Sequence, residues 1–185
     1  MKMKTCSCGK PIPKRHGSTI QMKKCPSCIY NMIKKAKKKK GGKSAAMRTA
    51  DKWFSWYIRF KYSFFDASGK ELFCKCFTCG RVKPIKVIQL GHYHGRGITA
   101  TRYHENNGRP QDVFCNYHKH GAHTAFEKAL IEEVGVDAVE ELKSLTTAQF
   151  KATEAFYKEA AKEYREKYNK LCKEKGVDPF RIKQR

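Results

Sequence analysis

Apolar residues along this chain follow a helical period in two long stretches, and between them no such period holds. From about residue 44 to 65, Met47, Ala50, Phe54, Tyr57, Ile58 and Lys61 recur at spacings of three and four, which predicts an amphipathic helix. Trp53, Trp56, Phe60 and Phe64 add aromatic bulk to it, and packing in a core is the expected use of that bulk in preference to base stacking. Asp66-Ala-Ser-Gly69 then breaks the helix. Residues 70–118 are short segments punctuated by Gly and Pro. Val87-Ile88-Gln89-Leu90 is strand-sized and ends at Gly91-His92, ahead of the loops Gly95-Arg96-Gly97 and Asn106-Asn107-Gly108. A helix is expected from Cys115 through Leu130, with Ala125–Val134 as its last part and Gly135 as its natural terminator. A short helix begins at Asp137-Ala-Val-Glu140. A long one is capped by Thr146-Thr-Ala-Gln149 and runs to Lys175, where Gly176 and Pro179 stop it. Phe150, Tyr157, Ala161, Tyr164, Tyr168 and Leu171 line one face of that helix. The stripe suits packing either on its own domain or on a second copy, as a homodimer.

This divides the chain into a cysteine-bearing module at 1–30, a basic linker at 31–43, a helix plus core at 44–145, and the long helix with its tail at 146–185. The first segment holds too little apolar material to fold on a core and needs a staple. The linker carries Lys34, Lys35, Lys37, Lys38, Lys39 and Lys40.

Charge narrows the partner. Forty Lys and Arg against seventeen Asp and Glu leave the chain at +23. Such an excess points to nucleic acid, where basic side chains gain affinity by releasing counterions from phosphates. The lysine run is the expected electrostatic contact, joined by Arg96, Arg102 and Lys119 nearer the core. The N-terminus, MKMKTCSCGK, is charged and has no apolar run of a secretory signal, and no stretch reaches the length of a membrane span. The expected location is a reducing cytoplasm.

Nine cysteines fit that compartment, because their spacing is that of metal clips and not of a disulfide framework. Cys6-x-Cys8 with Cys25-x-x-Cys28 supplies four thiolates for a tetrahedral structural zinc. Cys76-x-x-Cys79 opens a second set that continues to Cys115. Between these clips lie His92 at a strand end, Asn107 in a loop, and the polar residues Asn116 and His118 at a helix start. That order is the layout of a ββα-metal nuclease. Phosphodiester hydrolysis needs a base to activate water and a cation to absorb charge on the leaving oxygen. A strand-end His can be the base, a loop Asn can hold its geometry, and a helix-start residue can ligate the cation.

The stretch from Cys76 to about Leu142 resembles the phage NinG proteins, the Rap-type recombination nucleases. The resemblance rests on G-H-Y at 91–93, R-Y-x-E-x-N at 102–107, Gln111, C-N-x-H-K-x-G at 115–121 and L-I-x-x-x-G-x-x-A-V-x-E-L at 130–142. More distantly it is similar to the phage endonuclease VII type, through the Cys115-Asn116 pair. The resemblance implies a phage-encoded HNH endonuclease in the host cytoplasm, acting on branched DNA such as Holliday junctions. Carried over, His92 is the general base and Asn107 pins the loop. Asn116 and His118 are alternatives for the cation, Mg²⁺ or Mn²⁺. Two departures stand out. Many HNH nucleases place an acidic residue or a His just before the base as a metal ligand, and here that residue is Gly91, with His94 the nearest other imidazole. Relatives carry two cysteines in the second clip, and here Asp112 takes the first of those positions. Either Asp112 completes the second zinc site, or Cys74 joins Cys76, Cys79 and Cys115. The softer thiolate of Cys74 is favoured, with loss of the site as a third outcome.

His16, His104, His120 and His123 are expected to be ordinary surface or core histidines, and Cys172 a packed thiol on the last helix. The expected fold is therefore α+β: a small zinc-stapled ββα-metal core, a two-stranded hairpin and helix among longer helices, behind a zinc-finger-like module. Two rival functions remain open. One is a non-catalytic zinc-containing DNA-binding recombination protein. The other is a basic RNA-binding protein, which fits the charge and the clips but not the G-H-Y to C-N-x-H-K series.

Overall fold

The computed structural model describes residues 5–9, 27–28 and 42–178, and the chain divides into two units, Met1–Ala45 and Ala46–Arg185. In the first unit, Gly9 donates its N–H to the Cys6 carbonyl at 2.8 Å in a left-handed turn (φ 80°), which folds the chain around Cys8. Cys25 and Lys34, Lys35, Lys37, Lys38, Lys39 and Lys40 lie outside the described residues.

The second unit is mixed α+β. Helix α1 (Gly42–Lys61) carries the expected apolar face, with Ala50, Phe54, Ile58 and Phe60 buried. It stops four residues before the expected end, because Ser63–Phe65 forms strand β1. The segment read as a helix breaker is a hairpin turn. The Asp66 carboxylate accepts the N–H groups of Lys70 and Glu71 at 2.9 and 3.0 Å, and Gly69 adopts φ 68°. Strands β2 (Leu72–Lys75) and β3 (Val82–Pro84) complete an antiparallel three-stranded sheet in the order β1-β2-β3. This sheet was not foreseen, since strands of three and four residues carry too little periodicity to be seen.

Strand β4 (Gln89–His92) pairs antiparallel with β5 (Gly108–Gln111) in a separate hairpin, with Gln89 opposite Gln111 and His92 opposite Gly108. A 3₁₀ turn, Glu105–Asn107, leads into β5. A π-helical turn, Phe114–His118, follows β5, then α2 (His123–Val134), α3 (Val136–Leu145) and α4 (Glu154–Glu174). The single helix expected from Cys115 is thus interrupted at residues 119–122. Gly135 terminates α2 as expected, at φ 86°. The long helix starts later than expected: Thr153, not Thr146, is its cap, accepting the Phe156 N–H at 3.2 Å.

Two cores result. The larger joins α1, the three-stranded sheet and α4, where Phe54 meets Tyr164 (4.8 Å between ring centres) and Phe60 meets Tyr168 (5.4 Å). The aromatic face of α4 is thereby covered by α1 of the same chain, the intrachain use of that stripe. The smaller core packs Phe126 and Leu130 of α2 and Val139 and Leu142 of α3 against Tyr93, with Phe77 at its edge. Glu105 ties three elements together, accepting from Tyr57 (2.9 Å), Lys61 (2.8 Å) and Lys167 (2.9 Å). Burial raises its carboxyl pKa, but these three donors outweigh burial and hold it at about 2.

If α4 belongs to this core, Tyr168→Ala should cost about 3–5 kcal/mol in urea unfolding, as loss of a large buried ring does. A change below about 1 kcal/mol would mean that α4 is only loosely attached.

Candidate functional site

A cavity of about 640 Å³ opens beside the β4–β5 hairpin, and His92, Asn116 and His120 are on its wall together with Asp51, Arg59, Lys86 and Arg96. The hairpin places His92 at the last position of β4, on the face that packs on Phe54 of α1, 6.0 Å between ring centres. Burial first, and then the Arg96 and Arg102 charges, push its imidazole down to about 4. The Asp51 carboxylate and a hydrogen bond to the Arg102 backbone oppose them. A neutral imidazole at neutral pH can accept a proton.

Asn107 is fully buried at the end of the 3₁₀ turn. Its Oδ1 accepts the His94 N–H at 2.7 Å, and its Nδ2 donates to the carbonyls of His94 (3.0 Å) and Thr101 (2.9 Å). Its own carbonyl accepts the Tyr93 N–H at 2.9 Å. One side chain therefore ties the chain leaving β4 to the chain entering β5 and fixes where His92 stands.

Gly91, the departure noted in the sequence, has a packing reason. A Cβ there would meet Gln111 Oε1 at 2.0 Å. The Gln111 amide is fully buried, donates to Gly121 O at 2.7 Å and to Thr78 Oγ1 at 3.2 Å, and its Oε1 has no partner among the described residues. Any larger residue at 91 would displace it.

On the helix side, the π turn presents Asn116 to the cavity, where Nδ2 donates to Gln89 Oε1 at 2.7 Å. His118 does not line the cavity. It is exposed beside the Phe114 and Tyr117 rings, at 5.7 and 5.2 Å. His120, read from sequence as ordinary, is on the cavity wall instead. His94 lies tilted against Tyr93 (4.3 Å between ring centres) and is absent from that wall. Arg102, expected on DNA, turns inward and grips Asp51 through Nε and Nη2, 2.8 and 2.6 Å, with Tyr103 donating to the same carboxylate at 2.9 Å. The pairing spans 51 residues, which no local pattern reveals. Arg96 stays on the cavity wall, and exposed Lys119 lies 5.4 Å from the Phe114 ring centre.

Among the described residues, two groups of cysteines could hold a metal. The Sγ atoms of Cys6, Cys8 and Cys28 lie within 4.8 Å of one another, as do those of Cys76, Cys79 and Cys115. Cys74 is not in the second group: its Sγ donates to Arg59 O at 3.1 Å and burial pushes its thiol up to about 11. The expectation that Cys74 completes this site is therefore corrected: β2 ends at Lys75, so Cys76 lies beyond the strand, and the Cys74 thiol is engaged by Arg59 of α1 instead. Asp112 is adjacent, donating its N–H to Cys76 Sγ at 3.2 Å, while its carboxylate caps the π turn at Phe114 N (2.8 Å). Burial raises Cys76, but this N–H, the Thr78 hydroxyl and the backbone N–H groups of Cys79 and Thr78 bring it down to about 7. Backbone donors aimed at a sulfur suit a metal-bound thiolate.

The arrangement is that of a basic, mixed α+β protein whose small hairpin is stapled by cysteine clips that could bind zinc. Over residues 3–174 the sequence matches the family model described as Bacteriophage Lambda NinG protein, and the chain belongs to that family. It is similar to Protein ninG of Salmonella phage P22, 33% identical over 98 residues, covering 49% of this chain and 48% of the relative. Protein ninG of Escherichia phage lambda is 31% identical over 97 residues, 49% of this chain and 47% of the relative. The chain thus spans about half the length of the curated relatives it matches. No solved structure matches. Among the described residues, no helix is long and apolar enough to cross a membrane.

Two outcomes follow. Cys115→Ser should lose the zinc of this clip and Cys74→Ser should keep it, by metal analysis of the purified proteins. The depressed His92 pKa also bears on stability. The unfolded chain takes up a proton near pH 6.5 and the folded one only near pH 4, so stability should fall as pH drops through that window. Urea midpoints for wild type and His92→Asn should converge toward pH 4; an unchanged gap would show that His92 titrates normally in the folded chain.

Proposed function

We propose that this chain is a metal-dependent HNH-type DNA endonuclease that hydrolyses phosphodiesters, with branched DNA as its substrate. The observation that carries the reading is His92, a neutral imidazole held by the Asn107 loop on the wall of a cavity that also bears Arg59, Lys86 and Arg96. Cations on the wall attract the phosphate, and the imidazole takes the proton of the attacking water. The helix side, where Asn116 stands, is where Mg²⁺ or Mn²⁺ would stabilise the leaving oxygen. Zinc in the cysteine clips is separate and structural.

Two further observations support nucleic acid as the partner. The chain carries +23, and Phe114 and Tyr117 are exposed beside the cavity residue Asn116, Phe114 with Arg81 and Lys119 at 6.0 and 5.4 Å from its ring. Contacts of this kind read phosphates and shape and carry little sequence information. The reading as a non-catalytic zinc-containing DNA-binding protein draws on one observation: Asp51, the carboxylate on the wall, is already held by Arg102 and Tyr103.

His92→Ala separates these readings. Cleavage of a synthetic four-way junction should fall on the order of 10²–10⁴-fold, while affinity for the same junction at matched salt stays unchanged. A wild-type protein that binds the junction but never cuts it in Mg²⁺ or Mn²⁺ is the non-catalytic binder. A His92→Ala variant that cuts normally removes His92 as the base.

A further inference from the structure

The π turn presents apolar surface to solvent on a backbone that is firmly held. Val113, Phe114 and Tyr117 are 44%, 45% and 72% exposed, three large apolar side chains within five residues. A single exposed ring is ordinary, but a cluster of this kind marks a contact surface. Both rings neighbour that of His118, at 5.7 and 5.2 Å between centres. The backbone beneath them is fixed from several sides. Asp112 Oδ1 accepts the Phe114 N–H at 2.8 Å, Asn116 N donates to Asp112 O at 2.8 Å, and Lys119 N donates to Phe114 O at 2.9 Å. Cys115, between the rings in sequence, belongs to the cysteine group that could hold zinc.

The charges around the patch are positive. Arg81 and Lys119, both exposed, lie 6.0 and 5.4 Å from the Phe114 ring centre. Arg81 follows directly on the clip, and its carbonyl accepts the Cys76 N–H at 2.7 Å. The Asp112 carboxylate is buried, caps the turn and faces Lys83 at 3.9 Å, so it does not offset these cations. An apolar protein surface docked here would strip water from Arg81 and Lys119 and offer them no counter-charge. A nucleotide supplies both halves of the match, a flat π face for the rings and phosphates for the cations. In duplex DNA each base face is already stacked on a neighbour, so only an unpaired base fits without unstacking. We propose that Phe114 and Tyr117 stack an unpaired base of a DNA strand whose phosphates lie against Arg81 and Lys119. This rests on the reading of the cavity as a DNA site, to which Asn116 joins the patch, and it gives the preference for branched DNA a physical cause: forks and junctions carry unpaired bases and plain duplex does not.

The test is affinity of the zinc-loaded full chain for two forked DNAs, without Mg²⁺ or Mn²⁺ and at matched salt. One fork has ordinary unpaired arms; the other has abasic spacers in those arms, which keep the phosphates and remove the base faces. Wild type should bind the first about tenfold more tightly. Tyr117→Ala, at a position exposed enough to leave folding intact, should shrink that gap to within about twofold by weakening only the fork with bases, and Tyr117→Phe should keep it. Lys119→Gln should weaken both forks alike and lower the salt dependence of binding. Equal wild-type affinity for the two forks, or an undiminished gap in Tyr117→Ala, overturns the proposal. So does a wild-type dimer that Tyr117→Ala turns into a monomer with the gap intact, which assigns the patch to a second copy. If the gap behaves as expected but DNA is never cut, the stacking site stands and the nuclease reading falls. If junctions are cut in a divalent-dependent way while the two forks bind equally, the reverse holds.

Discussion

The site depends on one buried amide. Asn107 has no exposed surface and satisfies three backbone groups around it, the N–H and carbonyl of His94 and the carbonyl of Thr101. A loop of more than a dozen residues separates the two strands of the hairpin, and without such a tie its ends would be held only by the four pairs of the β4–β5 ladder. Leaving those backbone groups unpaired in the interior would cost about 1–3 kcal/mol each. The amide therefore fixes the loop, and the loop fixes the ring of His92 between Phe54 and the cavity.

Around this tie, ion pairs brace the elements. Arg102 clamps Asp51 of α1, Glu105 gathers Lys61 and Lys167, and Arg109, almost fully buried on β5, pairs with Glu133 of α2 at 2.9 Å. Each joins elements far apart in sequence. Removing Glu133 would leave Arg109 as a buried charge without its partner, which fixes that pairing more firmly than its net energy suggests. The cysteine clip acts on the other end of the hairpin. Phe77 donates its N–H to Pro110 O at 2.8 Å and Asp112 donates to Cys76 Sγ, so the clip holds the exit of β5 and aims the π turn.

Much of this frame was legible in the sequence. The helical period of α1, the stop at Gly135, the cysteine clips, the strand end at His92 and the loop position of Asn107 all follow from local rules. What was not legible depends on non-local pairing or on unusual backbone. The strands of the three-stranded sheet are too short to show alternation. Arg102 reads as a surface cation until Asp51 is placed beside it. Thr146 and Thr153 both offer a cap, but Thr146 closes the preceding helix, its hydroxyl donating to Lys143 O, and Thr153 opens the long one. His118 and His120 are two residues apart, and no spacing rule tells that the second and not the first lines the cavity, where the chain passes through a π turn and three left-handed residues. Gly91 reads as a missing ligand, whereas the structure makes it the space in which Gln111 packs.

The central claim is that Asn107 holds His92 in its buried, neutral setting. It is tested most directly by an NMR titration of the His92 imidazole in Asn107→Ala, in a sample that still unfolds cooperatively. The account predicts that its pKa climbs from about 4 toward the ordinary value near 6.5 as the loop loosens and water reaches the ring. A His92 that stays near 4 in the variant would contradict it, showing that the hairpin and α1 fix the ring without the amide.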